Sequence, residues 1–345
     1  MRGYMKKTQL RIGIDLGTSR TAVRSDRGAK AVFPSVVGYP RDIIGTKLLN
    51  GTKAVGDDAI EKRSYLTLIN PLDLGVIKET SEIDMEAAKD ILEHAIAITQ
   101  PEEHDEICAV IGVPARASFS NKETLLRLAK ELTEVTLVVS EPFMVAYGMG
   151  KLNKAIMIDI GAGTTDICAL KGVVPNSEDQ VTISKGGDHI DHLLKAMIQE
   201  HYPDIQITKR VVQNIKEKYS FVGDIKEPVI VQFRANGKPK EYDVSKEIKA
   251  ACESLIAPIV EQVEYLLVRF DPEDQEEALL NIYLAGNGSL IRGLDKAIAE
   301  KLKECGEVKV SCVADPDFAG CNGALKLAVD LPIEHWHQIG DVIGS

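Results

Sequence analysis

Short apolar runs alternate with longer amphipathic stretches along most of the chain. Gln9–Asp15, Thr21–Arg24 and Ala31-Val32-Phe33 read as a meander of three strands, with glycine- and threonine-rich turns between them. Pro34, Gly38 and Pro40 punctuate the stretch that follows, so residues 36–66 read as a small subdomain inserted in the first lobe. Met85, Ala88, Ile91, Leu92, Ala95, Ile96 and Ile98 recur near the helical period behind Asp84 as N-cap, which predicts a helix over 84–98. A buried strand follows at 107–114, then a helix over Asn121–Leu132 and a strand over Thr136–Val139. A helix over 143–150 is closed by Gly148 and Gly150. The plan then repeats from Ile156. Helices are expected at Asp188–Gln199 and Thr208–Tyr219, a hairpin around Ala235-Asn236-Gly237-Lys238, and a long helix at 246–269. A strand at Asn281–Ala285 and a helix at Gly293–Lys303 complete the pattern. Strands alternating with helices predict an α/β protein with parallel-rich sheets. Lobe I spans 8–150 and lobe II spans 151–330, with 186–245 as its inserted piece. Residues 331–345, which carry the only tryptophan, read as a C-terminal tail or a docked terminal segment.

One short phrase occurs twice. Ile14-Asp15-Leu16-Gly17-Thr18 and Ile158-Asp159-Ile160-Gly161-Ala162-Gly163-Thr164-Thr165 are each a buried strand ending in a carboxylate, then a Gly/Thr turn, then a second strand. A glycine lets backbone N–H groups approach a phosphate without a side chain intervening. Threonine hydroxyls add donors, and an aspartate at a strand end can hold a phosphate-bound Mg²⁺. Two such turns facing each other make a two-lobed nucleotide clamp. The plainer alternative is a pair of tight hairpins whose aspartates cap their own turns, which explains one copy better than two.

Composition narrows the partners. The formal net charge is −11, from 52 acidic and 41 basic residues, and no basic stripe is present for nucleic acid or anionic lipid. The 6 cysteines show no C-x-x-C spacing, which suits a reducing compartment. No apolar run is long enough to cross a bilayer, and the basic start Met1–Thr8 lacks the apolar core of a signal peptide. A cytoplasmic protein is expected.

The phrases at 12–19 and 157–166 resemble the first and second phosphate motifs of the actin, heat-shock-chaperone ATPase and sugar-kinase superfamily. That resemblance implies an actin-like ATPase fold of two lobes, each with a duplicated ribonuclease-H-like core, and a nucleotide in the interlobe cleft. It implies ATP and Mg²⁺ as cofactors. Asp15 and Asp159 would face the metal, and Gly17, Thr18, Ser19, Gly161, Gly163, Thr164 and Thr165 the phosphates. Val138–Gly148 resembles the interdomain connecting motif, whose glutamate, here Glu141, orients the attacking water. Taken alone, that Glu-Pro reads first as a carboxylate beside the positive end of a helix dipole. Lys216 and Glu217 resemble the Lys-Glu helix of actins that lines the nucleoside. Ile282–Leu294 resembles the adenosine motif, with Gly286, Asn287, Gly288 and Leu290 at its turn. Asn287 replaces a glycine there; asparagine tolerates a left-handed conformation, and its side chain would border the adenine pocket. Gly186-Gly187-Asp188 opens a helix and could cradle phosphate through free N–H groups, or simply cap that helix. His189 and His192, beside Asp188 and Asp191, read as a wet helix face rather than a metal site. His335-Trp336-His337 and Glu102-Glu103 likewise suggest no site.

Within the superfamily the length argues against the chaperones, which carry a further domain, and no aspartate base for a sugar hydroxyl is evident. The blocks at 35–40, 106–118, 139–145 and 159–172 resemble the magnetosome branch of the bacterial actins. What this implies is a homopolymer filament whose turnover is driven by ATP hydrolysis. It would be a cytoplasmic track along the magnetosome chain, joined to vesicles by a magnetosome-associated adaptor protein. The pieces at 36–66 and 186–245 would carry longitudinal contacts. A non-polymerising ATPase switch and a small-molecule kinase remain as alternatives.

Overall fold

A computed structural model of the chain describes residues 8–79 and 81–343; the basic start at 1–7 and the last two residues of the terminal segment lie outside the described residues. The described residues fall into two compact units. Unit 1 takes those within Met1–Asn153, Gly172–Ser177 and Ala314–Ser345, and unit 2 takes Lys154–Lys171 and Glu178–Val313.

Unit 1 begins with the antiparallel meander β1 (Thr8–Leu16), β2 (Arg20–Ser25) and β3 (Lys30–Pro34). A small excursion follows: β4 (Val37–Pro40), α1 (Ile43–Leu49), β5 (Ala54–Val55), α2 (Asp57–Glu61) and β6 (Leu66–Ile69). Its three strands pair in the order β5-β4-β6 over a separate core of Val36, Ala54, Ala59 and Leu66. After the short ladder β7 (Leu72–Asp73) and β8 (Val76–Ile77) come α3 (Glu82–Ile98), β9 (Asp105–Val113), α4 (Phe119–Ala129), β10 (Val135–Ser140) and α5 (Glu141–Met149). β9 runs parallel to β1, and β10 parallel to β9.

Unit 2 repeats the scheme. It contains β11 (Asn153–Ile160), β12 (Thr165–Lys171), β13 (Gln180–Ile183), α6 (Gly187–His201), α7 (Lys209–Tyr219), β14 (Ile230–Ala235) and β15 (Lys238–Asp243). Then come α8 (Ser245–Glu253), α9 (Ile256–Leu267), α10 (Pro272–Leu279), β16 (Ile282–Ala285), α11 (Leu294–Leu302) and β17 (Val310–Cys312). With β18 (Asp341–Ile343) at one edge, the sheet orders are β18-β10-β9-β1-β2-β3 and β13-β12-β11-β16-β17. Apart from β18, the first is the second read from the other edge: a three-strand meander, then two parallel strands. The duplicated phrase is thus the first turn of a duplicated sheet.

The chain then returns to unit 1 with α12 (Pro316–Asp330) and β18 (Asp341–Ile343). The second lobe was expected to run to residue 330, but α12 lies on β1 and α5. Gly13, Gly148 and Gly323 allow this. A Cβ on Gly13 would stand 2.9 Å from Ala324 Cβ, and one on Gly148 would stand 2.9 Å from Gly323 Cα. Gly148 therefore lies inside α5 as a contact point with α12, and Gly150, with φ 69°, ends the helix. β1 is consequently covered on both faces: α12 meets its Gly13 side, while Ile12 and Ile14 join Ala88, Ile91 and Leu92 of α3 in the core. β1 nevertheless keeps a period-2 pattern, with Leu10, Ile12, Ile14 and Leu16 on the α3 side and Arg11, Gly13 and Asp15 on the other.

Several boundaries move for local reasons. α3 starts behind Ser81 rather than Asp84, which lies in its first turn. α4 starts at Phe119 because Ser118 and Asn121 form a reciprocal capping box. The expected helix at 246–269 is two helices. Pro258 has no N–H to bond Ser254 and its ring crowds that carbonyl, so it is accepted only in the first turn of a new helix. The terminal segment is docked rather than free. Trp336 is 0% exposed and donates its indole N–H to Leu331 O at 3.2 Å, and β18 pairs antiparallel with β10.

Candidate functional site

Both phosphate-type turns occur where the sequence placed them. In unit 1 the turn closes through Gly17 N–H to Arg20 O at 3.1 Å. Ser35 braces it from β3's far side, donating its hydroxyl to Gly17 O at 2.7 Å and its N–H to Ser19 O at 2.9 Å. Thr18 Oγ1 accepts the Gly75 N–H at 2.7 Å, so its own proton stays available to a further acceptor. Asp15, one residue before the end of β1, is partly buried, and burial pushes its carboxyl up to about 6.

In unit 2 the turn closes through Gly161 N–H to Thr164 O at 2.9 Å, with Gly163 buried beside it. Here the hydroxyls depart from expectation. Thr164 donates to Asp166 at 2.7 Å and Thr165 to Lys185 O at 2.8 Å, so both protons are committed inside the unit. Thr164 meets the carboxylate two residues further along the chain, in β12, and Thr165 meets the backbone just beyond β13. What remains for a phosphate at this turn is backbone.

The start of α6 also departs from expectation. Gly187 N–H donates to Gly161 O at 3.0 Å and Asp188 N–H to Ala162 O at 2.8 Å. The N–H groups read as free are thus spent in holding the second turn. Gly186 makes the approach possible, since a Cβ there would stand 2.6 Å from Gly161 O. Lys216 of α7 extends the same brace, donating to Gly187 O at 2.8 Å and pairing with Asp191 at 3.0 Å. Asp191 is 3% exposed, so it does not belong to a wet helix face. Burial raises its carboxyl above the usual range, against the pull of Lys216. Glu217 is exposed on α7 and accepts from Gln213 at 3.2 Å.

Asp159 is buried near the end of β11, in register with Ala285 of β16. The next loop lies directly on it. Gly286 takes φ 66°, and a Cβ there would stand 2.5 Å from Ile160 O as well as overlapping the Asp159 carboxylate; one on Gly288 would stand 2.5 Å from Ile160 Cβ. The left-handed position is therefore Gly286. Asn287 has an ordinary negative φ at the start of a 3-10 turn over Asn287–Leu290, so asparagine costs this turn no backbone strain. Asn287 and Leu290 are exposed.

Glu141 is the first residue of α5, immediately after β10, with Pro142 in the first turn. Its side chain lies over β9 at Gly112, where a Cβ would come 3.1 Å from Glu141 Cγ. Unit 1 therefore gathers the first turn, Asp15 and Glu141, and unit 2 gathers the second turn, Asp159, the start of α6, Lys216 and the loop at 286–290. Among the described residues no group of three or more His, Cys, Asp and Glu is placed to hold a metal ion. Isolated strand-end carboxylates suit Mg²⁺, which keeps most of its waters and takes one or two carboxylates plus phosphate oxygens.

The family model for MreB/Mbl protein matches residues 9–333. The chain belongs to the MreB/Mbl family. Its fold is the actin-like α/β fold of that family. Among MreB/Mbl relatives it is 53% identical to the actin-like protein MamK of Paramagnetospirillum magneticum over 98% of both chains. It is 26% identical to the cell shape-determining protein MreB of Escherichia coli, over 84% of this chain and 86% of that one. A MamK double helical filament superposes with a TM-score of 0.93 at 52% identity, covering 94% of this chain and 100% of the other. A non-polymerising MamK mutant bound to AMPPNP superposes with a TM-score of 0.73 at 52% identity, covering 94% and 99%.

The residues that the motifs did not reveal are those behind the motifs: Ser35, Gly75, Gly112, Asp191 and Gly320. Small residues three apart in α12, Gly320 and Gly323, were the available signal, because that spacing lines one helix face.

Proposed function

We propose that this chain is an ATP-hydrolysing bacterial actin that polymerises and serves as the cytoplasmic track aligning magnetosomes. The observation that carries the reading is likeness along the whole chain to a protein seen as a filament, in a chain whose strand ends present Asp15, Glu141 and Asp159. No helix among the described residues is long and apolar enough to cross a membrane, so an adaptor protein is the proposed link to the vesicles.

In this reading one Mg·ATP is served by both phosphate turns. Gly17, Thr18, Ser19 and the backbone of Gly161–Thr165 hold phosphate oxygens. Asp15 and Asp159 hold the metal directly or through its waters, and bound Mg²⁺ neutralises charge on the phosphates. Lys216, Glu217 and the loop Gly286–Leu290 border the nucleoside, while Gly186 and Gly187 keep the second turn in shape. Glu141 orients a water towards the terminal phosphorus and takes its proton as the P–O bond to ADP breaks. Nucleotide-bound protomers then stack head to tail, a heterologous contact that does not close. Sedimentation and electron microscopy with ATP, with ADP and without nucleotide test the proposal. Filaments that depend on ATP are expected, and protein that stays in the supernatant at micromolar concentration with ATP would overturn it.

A further inference from the structure

Three parallel strands of unit 1 end side by side. Asp15 of β1 is in register with Gly112 of β9, and Gly112 with Val139 of β10, two residues before Glu141. A Cβ on Gly112 would stand 2.6 Å from Met144 Cε and 3.1 Å from Glu141 Cγ. On α12, a Cβ at Gly320 would overlap the Asp15 carboxylate, 2.7 Å from its Cγ, and stand 3.1 Å from the same Met144 Cε. Met144 is fully buried, so one methyl group rests against both glycines.

We propose that Gly320 is a positioning residue for Asp15, with the Met144 methyl group filling the space beside it. The proposal rests on the reading of Asp15 as a magnesium-side carboxylate. Gly320 lies in the interior of a helix, where alanine is the better helix former. The near atoms that bar a side chain belong to Asp15 and Met144, both side chains. Gly323, one turn on, differs: its Cβ would strike the α5 backbone, 2.7 Å from Met144 C, so that glycine serves the crossing of two helices. At Gly320 the room is kept for a carboxylate. A methyl there turns Asp15 to another rotamer and takes its oxygens from where Mg²⁺ is met.

Two measurements on the full chain test this. In EDTA without nucleotide, Gly320→Ala is expected to lower the melting temperature by about 5 °C. In an Asp15→Ala background the same substitution is expected to change it by less than about 2 °C, because the carboxylate clash has gone and only the end of the flexible Met144 side chain remains close. Additive losses would overturn the steric pairing, and this cycle remains readable if Gly320→Ala is poorly stable. Second, Mg²⁺ is titrated with AMPPNP and the midpoint read from thermal stabilisation. Gly320→Ala is expected to need about ten-fold more Mg²⁺, with metal-free nucleotide binding unchanged. Asp15→Asn is the reference. An unshifted midpoint in Asp15→Asn overturns the role given to Asp15. A shift in Asp15→Asn without one in Gly320→Ala overturns the positioning role alone.

Discussion

Replacing Lys216 with methionine keeps the length of the side chain and removes the cation facing a buried carboxylate. Asp191 is 3% exposed, and Lys216 is the group that pairs with it, at 3.0 Å. Lys209 also draws the carboxyl down and Asp188 pushes it up, but neither is paired with it. Breaking one side of a buried pair typically costs about 3–5 kcal/mol. Here the cost has a ceiling, because Asp191 can take up a proton instead. From its ordinary value of 3.8 to pH 7, at about 1.4 kcal/mol per unit, that ceiling is about 4 kcal/mol. At pH 5 it is about 1.6 kcal/mol. The sign follows from linkage: a carboxyl raised in the folded state contributes stability present at low pH and lost as pH rises through the folded value. Lys216→Met should therefore melt about 8–15 °C below the parent at pH 7, and much closer to it at pH 5. Differential scanning calorimetry in EDTA, without nucleotide, reads both. Adding Asp191→Asn should recover most of the loss, and any deficit in ATP binding left in that double variant reports contact between Lys216 and the nucleoside. An equal deficit in melting at the two pH values would refute the reasoning, since it would mean no buried charge had been stranded.

Glu141→Ala is expected to leave ATP bound, slow phosphate release about 100-fold and give persistent filaments; phosphate release at the parental rate would remove Glu141 from the mechanism. Trp336→Ala removes a fully buried indole and leaves Leu331 O without its donor. A loss of about 3–5 kcal/mol is expected, and a melting temperature within about 2 °C of the parent would show that the terminal segment contributes little. Asp15, raised to about 6 by burial, weakens the metal-free protein once it ionises, so stability from this group is present below pH 4 and lost as pH rises through 6. Asp15→Asn should therefore be more stable than the parent at pH 7.5 and lose most of that advantage by pH 4.5, by calorimetry in EDTA; a constant difference would contradict the burial of this carboxyl.

The strands and turns were legible because each carries its own signal. An apolar run ending in Asp, then Gly and Thr, states both the strand and the place where it stops. The Asn236-Gly237 hairpin was equally plain, and both residues take positive φ, 50° and 79°, as a tight hairpin turn requires. Less legible was anything decided by a distant partner. The hydroxyls of Thr164 and Thr165 were read as phosphate donors, yet Asp166 and Lys185 O receive them. Gly186 reads as either a phosphate cradle or a helix cap, and it is open backbone for a different reason, the approach of α6 to the second turn. Lys-Glu on a helix says nothing of the buried Asp191 that Lys216 meets. The return of α12 to unit 1 was hidden because its glycines lower helix propensity and do not name the strand they face.

The two repeats share their turns but not what stands behind them. Asp15 is backed by Gly320, in the interior of α12, and Asp159 by Gly286, in a loop with φ 66°. The distinction decides what alanine does at each. At Gly286 the backbone itself resists, since a positive φ strains an L-residue by about 1 kcal/mol before any contact is counted. At Gly320 the backbone favours alanine by about 1 kcal/mol, so a net loss there can only come from the side chains of Asp15 and Met144. A glycine held against helix propensity therefore measures how much room the carboxylate needs. The first repeat is the one in which a helix drawn from the far end of the chain fixes the position of the strand-end carboxylate. On the proposed reading, Gly320 of α12 serves the site as the turn at Gly17–Ser19 does.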